Sequence, residues 1–222
     1  MTHIDNGTIH YRDELVRKLI HLFSLSIPII YYFIPIKTSI IILAVLTFVA
    51  LLIDTSRFIS KSFAKYFYKF FGFLLRKHEL DGEKKNLTGA TYVLISALLC
   101  AIIFPKVIFV SAFTILIISD TMAALIGRKF GRKKFLRKSL EGTFAFFISA
   151  TIVIFLTPKV NYLPMEYWIG IIGAFIGAIV ENISHGFADD NLSIPLSVGL
   201  TMWALYILIF PNLELILYNV PR

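Results

Sequence analysis

The stretch of this sequence best equipped for chemistry runs between two acidic residues, Asp120 and Glu141. Asp120 lies inside an apolar segment of helix length, where an acid costs about 2.5 to 3.5 kcal/mol on insertion scales and so usually has a function. Gly127 and Gly131 follow, and apolar sequence resumes after Glu141. Between the two acids lie seven cations, Arg128, Lys129, Arg132, Lys133, Lys134, Arg137 and Lys138. Together these residues predict a phosphate-handling site at a membrane surface.

Two plainer interpretations of this stretch stay open. Asp120 shares a helical stripe with the small residues Ala124, Gly127 and Gly131, and such stripes let neighbouring helices approach closely. We therefore expect Asp120 to face protein, and hydrogen bonding to another helix could be its whole role. The cations could likewise be only a topology signal. The segment is not a P-loop, because the spacing Gly-x4-Gly-Lys-Ser/Thr is absent.

A second polar group follows an apolar segment that carries three glycines and ends in Glu181. Asp189, Asp190 and Asn191 come within ten residues of it. Carboxylate and amide oxygens suit Mg²⁺, which usually takes one or two carboxylates together with substrate phosphates. We therefore predict a Mg²⁺ site drawn from Asp190, Glu181 and Asp120. The alternative is that Asp189 and Asp190 are only turn residues.

The first apolar segment has charged residues at helical spacing near its start. Glu14, Arg17 or Lys18, and His21 recur every three or four residues, so they share one face of a helix. Lys18 is open to two interpretations. It is either an anchor that extends to the headgroups or, with Arg17 and His21, a ligand for phosphate.

Composition identifies an integral membrane protein. Of the 222 residues 57% are hydrophobic and 16% charged, and the mean hydropathy is +0.78, whereas soluble domains are about a quarter charged. The expected fold is an all-α polytopic membrane protein, a single integral membrane domain over 1–222 with a bundle of about seven transmembrane helices. The predicted spans are 15–35, 38–53, 88–104, 107–127, 140–157, 166–182 and 195–210.

Basic residues cluster in alternate connections of these spans. They precede span one, lie between spans two and three, and lie between spans four and five, whereas the other connections hold only Lys37, Lys106 and Lys159. By the positive-inside rule the N-terminus and all the polar groups above then lie on the cytoplasmic side. The N-terminus has acids where a signal peptide is basic, so we expect the first span to be retained. The expected location is the plasma membrane of a prokaryote.

An amphipathic segment is predicted over residues 55–78. Basic residues recur at Arg57, Lys61, Lys65 and Lys69, with phenylalanines largely on other faces. A basic, aromatic helix of this kind lies in the membrane interface instead of spanning it. Attraction to lipid headgroups without catalysis is its simplest role.

These polar groups together suit phosphoryl transfer. That reaction needs Mg²⁺ on the phosphates, cations for the developing charge and a group that orients the attacking hydroxyl. The residues alone therefore lead to a nucleotide- or phosphate-dependent lipid enzyme.

Four motifs carry a resemblance to a known family. They are Asp120-Thr-x-Ala-Ala-x-x-Gly-Arg-x-x-Gly131, Lys138-Ser-x-Glu141-Gly-Thr143, Glu181-Asn, and Asp190-Asn-Leu-x-Ile-Pro-Leu196. In this order they resemble the signatures of the CTP-dependent lipid kinases: dolichol kinase, phytol kinase and yeast-type diacylglycerol kinase. The resemblance covers almost the whole chain.

This resemblance implies transfer of the γ-phosphoryl group of CTP, with Mg²⁺, to a lipid alcohol such as diacylglycerol, a polyprenol or phytol. The expected partners are CTP, that alcohol and membrane lipids, with no nucleic acid. The residues assigned to catalysis are Asp120, Glu141 and Lys138. Those assigned to nucleotide binding are Arg17, Lys18, Gly127, Arg128, Gly131, Ser139, Gly142 and Asn191.

Two other functions compete with the kinase. The central stretch is also similar to phosphatidate cytidylyltransferases, but their C-terminal signature of Lys-Asp, Pro-Gly-His-Gly-Gly and a paired Asp-Arg is replaced here by GFADDNLSIPL. The third possibility is a non-enzymatic transporter that uses Asp120 and Glu181 as ion or proton relays. No inverted repeat between the two halves supports it.

Overall fold

The computed structural model describes residues 11–75, 86–184 and 189–222. The helices, numbered in chain order, are α1 (Tyr11–Phe23), α2 (Ser26–Phe33), α3 (Ile36–Ile59), α4 (Lys61–Phe71), α5 (Gly89–Ile103), α6 (Lys106–Phe130), α7 (Leu140–Leu156), α8 (Pro164–Ile183) and α9 (Asp190–Ile209). A 3₁₀ turn at Gly72–Leu74 follows α4. A two-stranded antiparallel hairpin, β1 (Lys134–Phe135) and β2 (Lys138–Ser139), precedes α7.

The predicted all-α polytopic membrane fold is confirmed. Five stretches of the described chain are long and apolar enough to cross a membrane: α1 with α2, α3, α6, α8 and α9. The two shorter apolar helices, α5 and α7, coincide with the remaining predicted spans. Each of the seven predicted spans therefore corresponds to one helix or helix pair.

Prolines and side-chain caps set several of the helix ends. Pro35 and Pro105 directly precede α3 and α6, and the residue before a proline is disfavoured in a helix, so α2 and α5 end there. Thr88 caps α5 by accepting a hydrogen bond from the Thr91 amide. Pro28 lacks the amide that would continue the α1 ladder, and the chain turns between α1 and α2.

Helix α6 lies at the centre of the fold. Over its most apolar 18 residues 78% are buried, against 17% for α3. It packs against α1, α2, α5, α7 and α9. Side chains that project from α6 are therefore surrounded by protein on most sides, which is where an isolated acid such as Asp120 can be paired.

Small residues bring α8 close to its neighbours α7 and α9. A Cβ atom added at Gly170 would lie 2.6 Å from Ile154 side-chain atoms, and one at Gly177 would lie 2.7 Å from the Val198 side chain. Both distances are too short for a real contact. The glycine stripe predicted in this span therefore serves helix packing.

The two ends of the bundle have different polar contacts. We call the end where α1, α5, α7 and α9 begin the basic end, because the basic hairpin lies there. At the opposite end Lys106 Nζ donates to the carbonyls of Ile34, at 2.9 Å, and Pro221, at 2.5 Å. There Glu166 accepts hydrogen bonds from three backbone amides and from the Tyr206 hydroxyl. At this end, buried side chains therefore satisfy the hydrogen-bonding groups of backbone segments that connect or follow the helices.

The predicted amphipathic segment 55–78 begins later than expected. Helix α3 continues to Ile59, and α4 starts after Ser60, whose side chain accepts the Phe63 amide as a cap. Arg57 does not belong to the basic face of α4, because it is buried in α3 and its Nε lies 3.0 Å from Asp54 Oδ1. Residues 76–78 lie outside the described residues.

Asp54 and Arg57 instead join α3 to the start of α5. The Asp54 carboxylate accepts hydrogen bonds from the amide and hydroxyl of Thr88, at 2.8 and 3.1 Å. Arg57 also donates to the Asn86 carbonyl. The last span, predicted to begin at Pro195, begins earlier, because α9 starts at Asp190 and Pro195 lies inside it.

Candidate active site

Lys18 of α1 and Asp120 of α6 form an ion pair inside the bundle. Lys18 Nζ lies 2.5 Å from Asp120 Oδ2, and the two residues are 1% and 4% exposed. His21, one helical turn after Lys18, places Nε2 at 3.8 Å from the same oxygen. Asp120 thus faces protein as predicted, and Lys18 is a buried partner of that acid instead of an anchor in the headgroups.

Glu14 joins two arginines that the sequence assigns to nucleotide binding. Arg17 donates to Glu14 Oε1 at 2.5 Å, and Arg128, near the end of α6, lies 3.6 Å from Glu14 Oε2. The helical spacing of Glu14 and Arg17 predicts that they share a face, but nothing in the sequence indicates that Arg128 joins them. Arg17, Lys18 and Arg128 therefore all lie along the contact between α1 and α6, each next to a carboxylate.

Lys138 lies between two of the predicted metal ligands. Its Nζ is 2.6 Å from Glu181 Oε1 at the end of α8 and 3.2 Å from Asp190 Oδ2 at the start of α9. Burial alone would lower the pKa of Lys138, but the carboxylates of Asp190 and Glu181 outweigh it and hold that pKa above its ordinary value. The ammonium group is therefore charged at neutral pH.

Two buried side chains that the sequence analysis did not assign support this group. Asn182 Oδ1 accepts hydrogen bonds from the amides of Arg137 and Lys138, at 2.9 and 3.1 Å, and its Nδ2 donates to Thr143 Oγ1. Ser184 donates to Asp190 Oδ1 at 2.7 Å. The signal that could have identified Asn182 is its place directly after Glu181 in the motif Glu181-Asn.

The predicted glycines and Ser139 lie where the end of α6 crosses the start of α7. A Cβ atom at Gly127 would lie 3.0 Å from Ser139 Oγ, and one at Gly142 would lie 3.0 Å from the Ala123 carbonyl oxygen. Ser139 caps α7 by accepting the Gly142 amide, and Gly131 packs against it. In this structure these four residues hold two helices in contact.

Glu141 and Asn191, which the sequence also assigns to the site, make contacts with residues other than Lys138. Glu141 accepts the Lys133 amide at 3.2 and 3.3 Å, which ties the start of the basic hairpin to α7. Asn191 is buried in the first turn of α9, where its backbone amide donates a hydrogen bond to Asp189 Oδ1. Of the two aspartates, Asp189 is thus the turn and cap residue, whereas Asp190 faces Lys138.

The predicted carboxylates are not assembled into one cluster. Within residues 11–75, 86–184 and 189–222 no group of three or more His, Cys, Asp or Glu side chains could hold a metal ion. Asp120 binds Lys18, and Glu181 and Asp190 converge on Lys138. The charge of Asp120 also acts to raise the pKa of Lys138, after the larger effects of Asp190 and Glu181. Two convergent carboxylates fit a Mg²⁺ ion that takes its other ligands from phosphates and water.

Comparison with known proteins identifies relatives of this chain. It is 33% identical over 193 residues to the uncharacterized protein RP860 of Rickettsia prowazekii, covering 85% of this chain and 92% of that one. The chain belongs to the same family as RP860. No model of a known protein family matches it, and no solved structure is similar to it.

Two distant relatives of this RP860 family member are lipid kinases. The CTP-dependent diacylglycerol kinase 1 of Schizosaccharomyces pombe is 28% identical over 156 residues, which are 64% of this chain and 69% of the kinase. Dolichol kinase sec59 of the same yeast is 37% identical over 90 residues, but these are only 17% of its length. The chain is therefore distantly homologous to lipid kinases.

Proposed function

We propose that this protein is a CTP-dependent lipid kinase that transfers the γ-phosphoryl group of CTP to the hydroxyl of a membrane lipid alcohol. The observation that carries the proposal is the convergence of Glu181 and Asp190 on Lys138, in a bundle that also buries the pair of Lys18 and Asp120. The distant kinase relatives support phosphoryl transfer, and the name of one of them, CTP-dependent diacylglycerol kinase 1, supports CTP as the donor.

In this proposal the cations bind the phosphates of CTP. Lys138, Arg17 and Arg128 come from the hairpin, α1 and α6, and each is paired with a carboxylate at the basic end. Mg²⁺ would be held by Glu181 and Asp190 with phosphate oxygens, and it supplies charge neutralisation. Positioning and electrostatic stabilisation are most of what such a reaction asks of a protein.

Asp120 orients the acceptor hydroxyl. The hydroxyl oxygen forms a bond to the γ-phosphorus, the bond from that phosphorus to the β-phosphate oxygen breaks, and CDP leaves. The hydroxyl proton passes to the Asp120 carboxylate and then to solvent, while Lys18 and His21 hold that carboxylate in place. The lipid product is a phosphomonoester.

The depth of these groups fits an amphiphilic acceptor. Glu181 and Asp190 lie at helix ends, whereas Asp120 lies ten residues before the end of α6, about 15 Å along its axis. A nucleotide reaching Lys138 from water and a lipid hydroxyl reaching Asp120 from the bilayer would then meet between them. We propose that the basic end faces the cytoplasm, following the positive-inside rule.

The experiment uses membranes containing this protein, Mg²⁺, mixed lipid alcohols and CTP labelled at the α or the γ phosphate. We expect γ label in an extractable lipid, whose mobility identifies the alcohol, and none from Asp120→Asn protein that still inserts. Alpha label appearing in lipid after phosphatidate is added would instead identify a cytidylyltransferase. Full activity of Asp120→Asn would overturn the site assignment.

A further inference from the structure

The position between Glu181 and Asp190 is held by a side-chain cation. Lys138 Nζ contacts one oxygen of each carboxylate, at 2.6 and 3.2 Å, so the ammonium group stands where a metal ion shared by the two would lie. A divalent ion placed beside this charged ammonium would be repelled by it over a distance of a few ångströms. Lys138 and a metal ion therefore compete for the same pair of acids.

We propose that Lys138 is a resident cation that keeps the divalent metal out of the Glu181–Asp190 pair until nucleotide phosphates draw the ammonium away. This rests on the proposed function, and it concerns the order in which that site takes its ligands. Free metal binds weakly, and metal and nucleotide bind together.

The backbone of Lys138 is fixed whereas its ammonium can move. Asn182, which is fully buried, accepts the amide hydrogens of both Arg137 and Lys138. The ammonium is attached through a flexible four-carbon chain with three rotatable donors. It can therefore change partners from carboxylate to phosphate without movement of the hairpin.

The order of exposure also suits this exchange. The Lys138 side chain is 23% exposed, whereas those of Glu181 and Asp190 are 4% and 9% exposed. An anion that arrives from water therefore meets the ammonium before the carboxylates. Once the ammonium has turned to a phosphate, the two acids behind it need another cation, because buried charges are retained only when paired.

The test is a titration of the full-length protein, purified in detergent, with Mn²⁺ in the absence of any nucleotide, followed by electron paramagnetic resonance of the free ion. We expect wild-type protein to bind Mn²⁺ weakly and Lys138→Met to bind it at least about tenfold more tightly, since the competing charge is gone. Adding Glu181→Gln to Lys138→Met should abolish this gain.

Two controls separate the loss of this charge from other effects. Lys138→Arg keeps a cation at the position, so its Mn²⁺ affinity should stay at the wild-type value. Lys134→Met removes an exposed lysine from the same hairpin and should leave the Mn²⁺ affinity at the wild-type value. Gel filtration and thermal denaturation verify that each variant is folded.

Unchanged Mn²⁺ affinity in folded Lys138→Met protein would overturn the inference, as would tight Mn²⁺ binding by wild-type protein without nucleotide. The titration involves no turnover, so its result is independent of the kinase assay. Labelled lipid from wild-type protein together with an unchanged affinity would reject the inference alone. A gain in affinity without any labelled lipid would reject the proposed function alone.

Discussion

At the level of single residues, the bundle is sensitive to the loss of either member of the buried pair of Lys18 and Asp120. Both residues are buried, and the ring nitrogen Nε2 of His21 lies 3.8 Å from Asp120 Oδ2. A buried ion pair adds little net stability over an apolar pair of similar size, but removing one member leaves an uncompensated charge. Single and double substitutions at this pair can therefore distinguish its effect on folding stability from its proposed role in phosphoryl transfer.

We predict that Lys18→Met lowers the free energy of unfolding by about 3 to 5 kcal/mol. The double variant Lys18→Met with Asp120→Asn should recover most of that loss, because no buried charge remains, yet it should not phosphorylate lipid. Thermal denaturation in detergent and the γ-label assay measure the two effects. A double variant as unstable as the single one, or one that is active, would contradict this account.

At the level of elements, the crossing of α6 and α7 sets the position of the basic hairpin that connects them. Gly127 and Gly142 face each other there, and Ser139 caps α7 between them. Lys138 directly precedes Ser139, so the position of its backbone depends on how closely these two helices approach.

We predict that Gly142→Ala destabilises the protein by about 1 to 3 kcal/mol through overpacking. The added methyl group would lie 3.0 Å from the Ala123 carbonyl oxygen and 3.2 Å from the Gly127 Cα. The matched control is Gly72→Ala, where the nearest atom, Tyr68 Cβ, would be 3.9 Å away. Denaturation midpoints of the two variants compare them directly, and equal midpoints would show that the crossing tolerates a methyl group.

The helices could be predicted from the sequence, because hydropathy over about 20 residues is a local property. The span predicted at 107–127, for example, is α6 at Lys106–Phe130. The start of α4 could not be predicted, because basic residues recur every four positions from Arg57 to Lys69. The chain nevertheless leaves the helix at Ser60, which caps α4. A regular charge pattern does not reveal such a break.

The sequence could indicate candidate residues for the site, but not which of their side chains lie in contact. The motifs identify Lys138, Glu181 and Asp190, whose contacts span 43 and 52 residues of sequence. Spacing along one helix carries no information about such contacts. For the same reason the glycines of the central motif suggested phosphate binding, whereas Gly127 and Gly142 pack one helix against another.

At the level of the whole molecule, the distribution of charge predicts its orientation in the membrane. The basic hairpin and the start of α1 lie at one end, and the loop between α7 and α8 lies at the other. The positive-inside rule places the first of these ends in the cytoplasm. The buried thiol of Cys100 provides an unreactive background for labelling.

We predict that a membrane-impermeant maleimide labels Asn161→Cys on intact cells, and labels Lys134→Cys only after the cells are permeabilised. Both positions are exposed, and they lie at opposite ends of the bundle. Cells carrying unaltered protein should give no signal under either condition. The reverse pattern would show that the basic end faces outward, and the site would then need CTP on the outer side of the membrane.

The pair of Lys18 and Asp120 also has a consequence for the synthesis of the protein. Its two members are separated by 102 residues of sequence. At a translation rate of about 5 to 20 residues per second, Lys18 therefore waits roughly 5 to 20 s for its partner to be made. During that time Lys18 lacks the acid that it pairs with in the folded protein. Every newly made copy therefore passes through a state in which the first span is present but the contact between α1 and α6 cannot yet form.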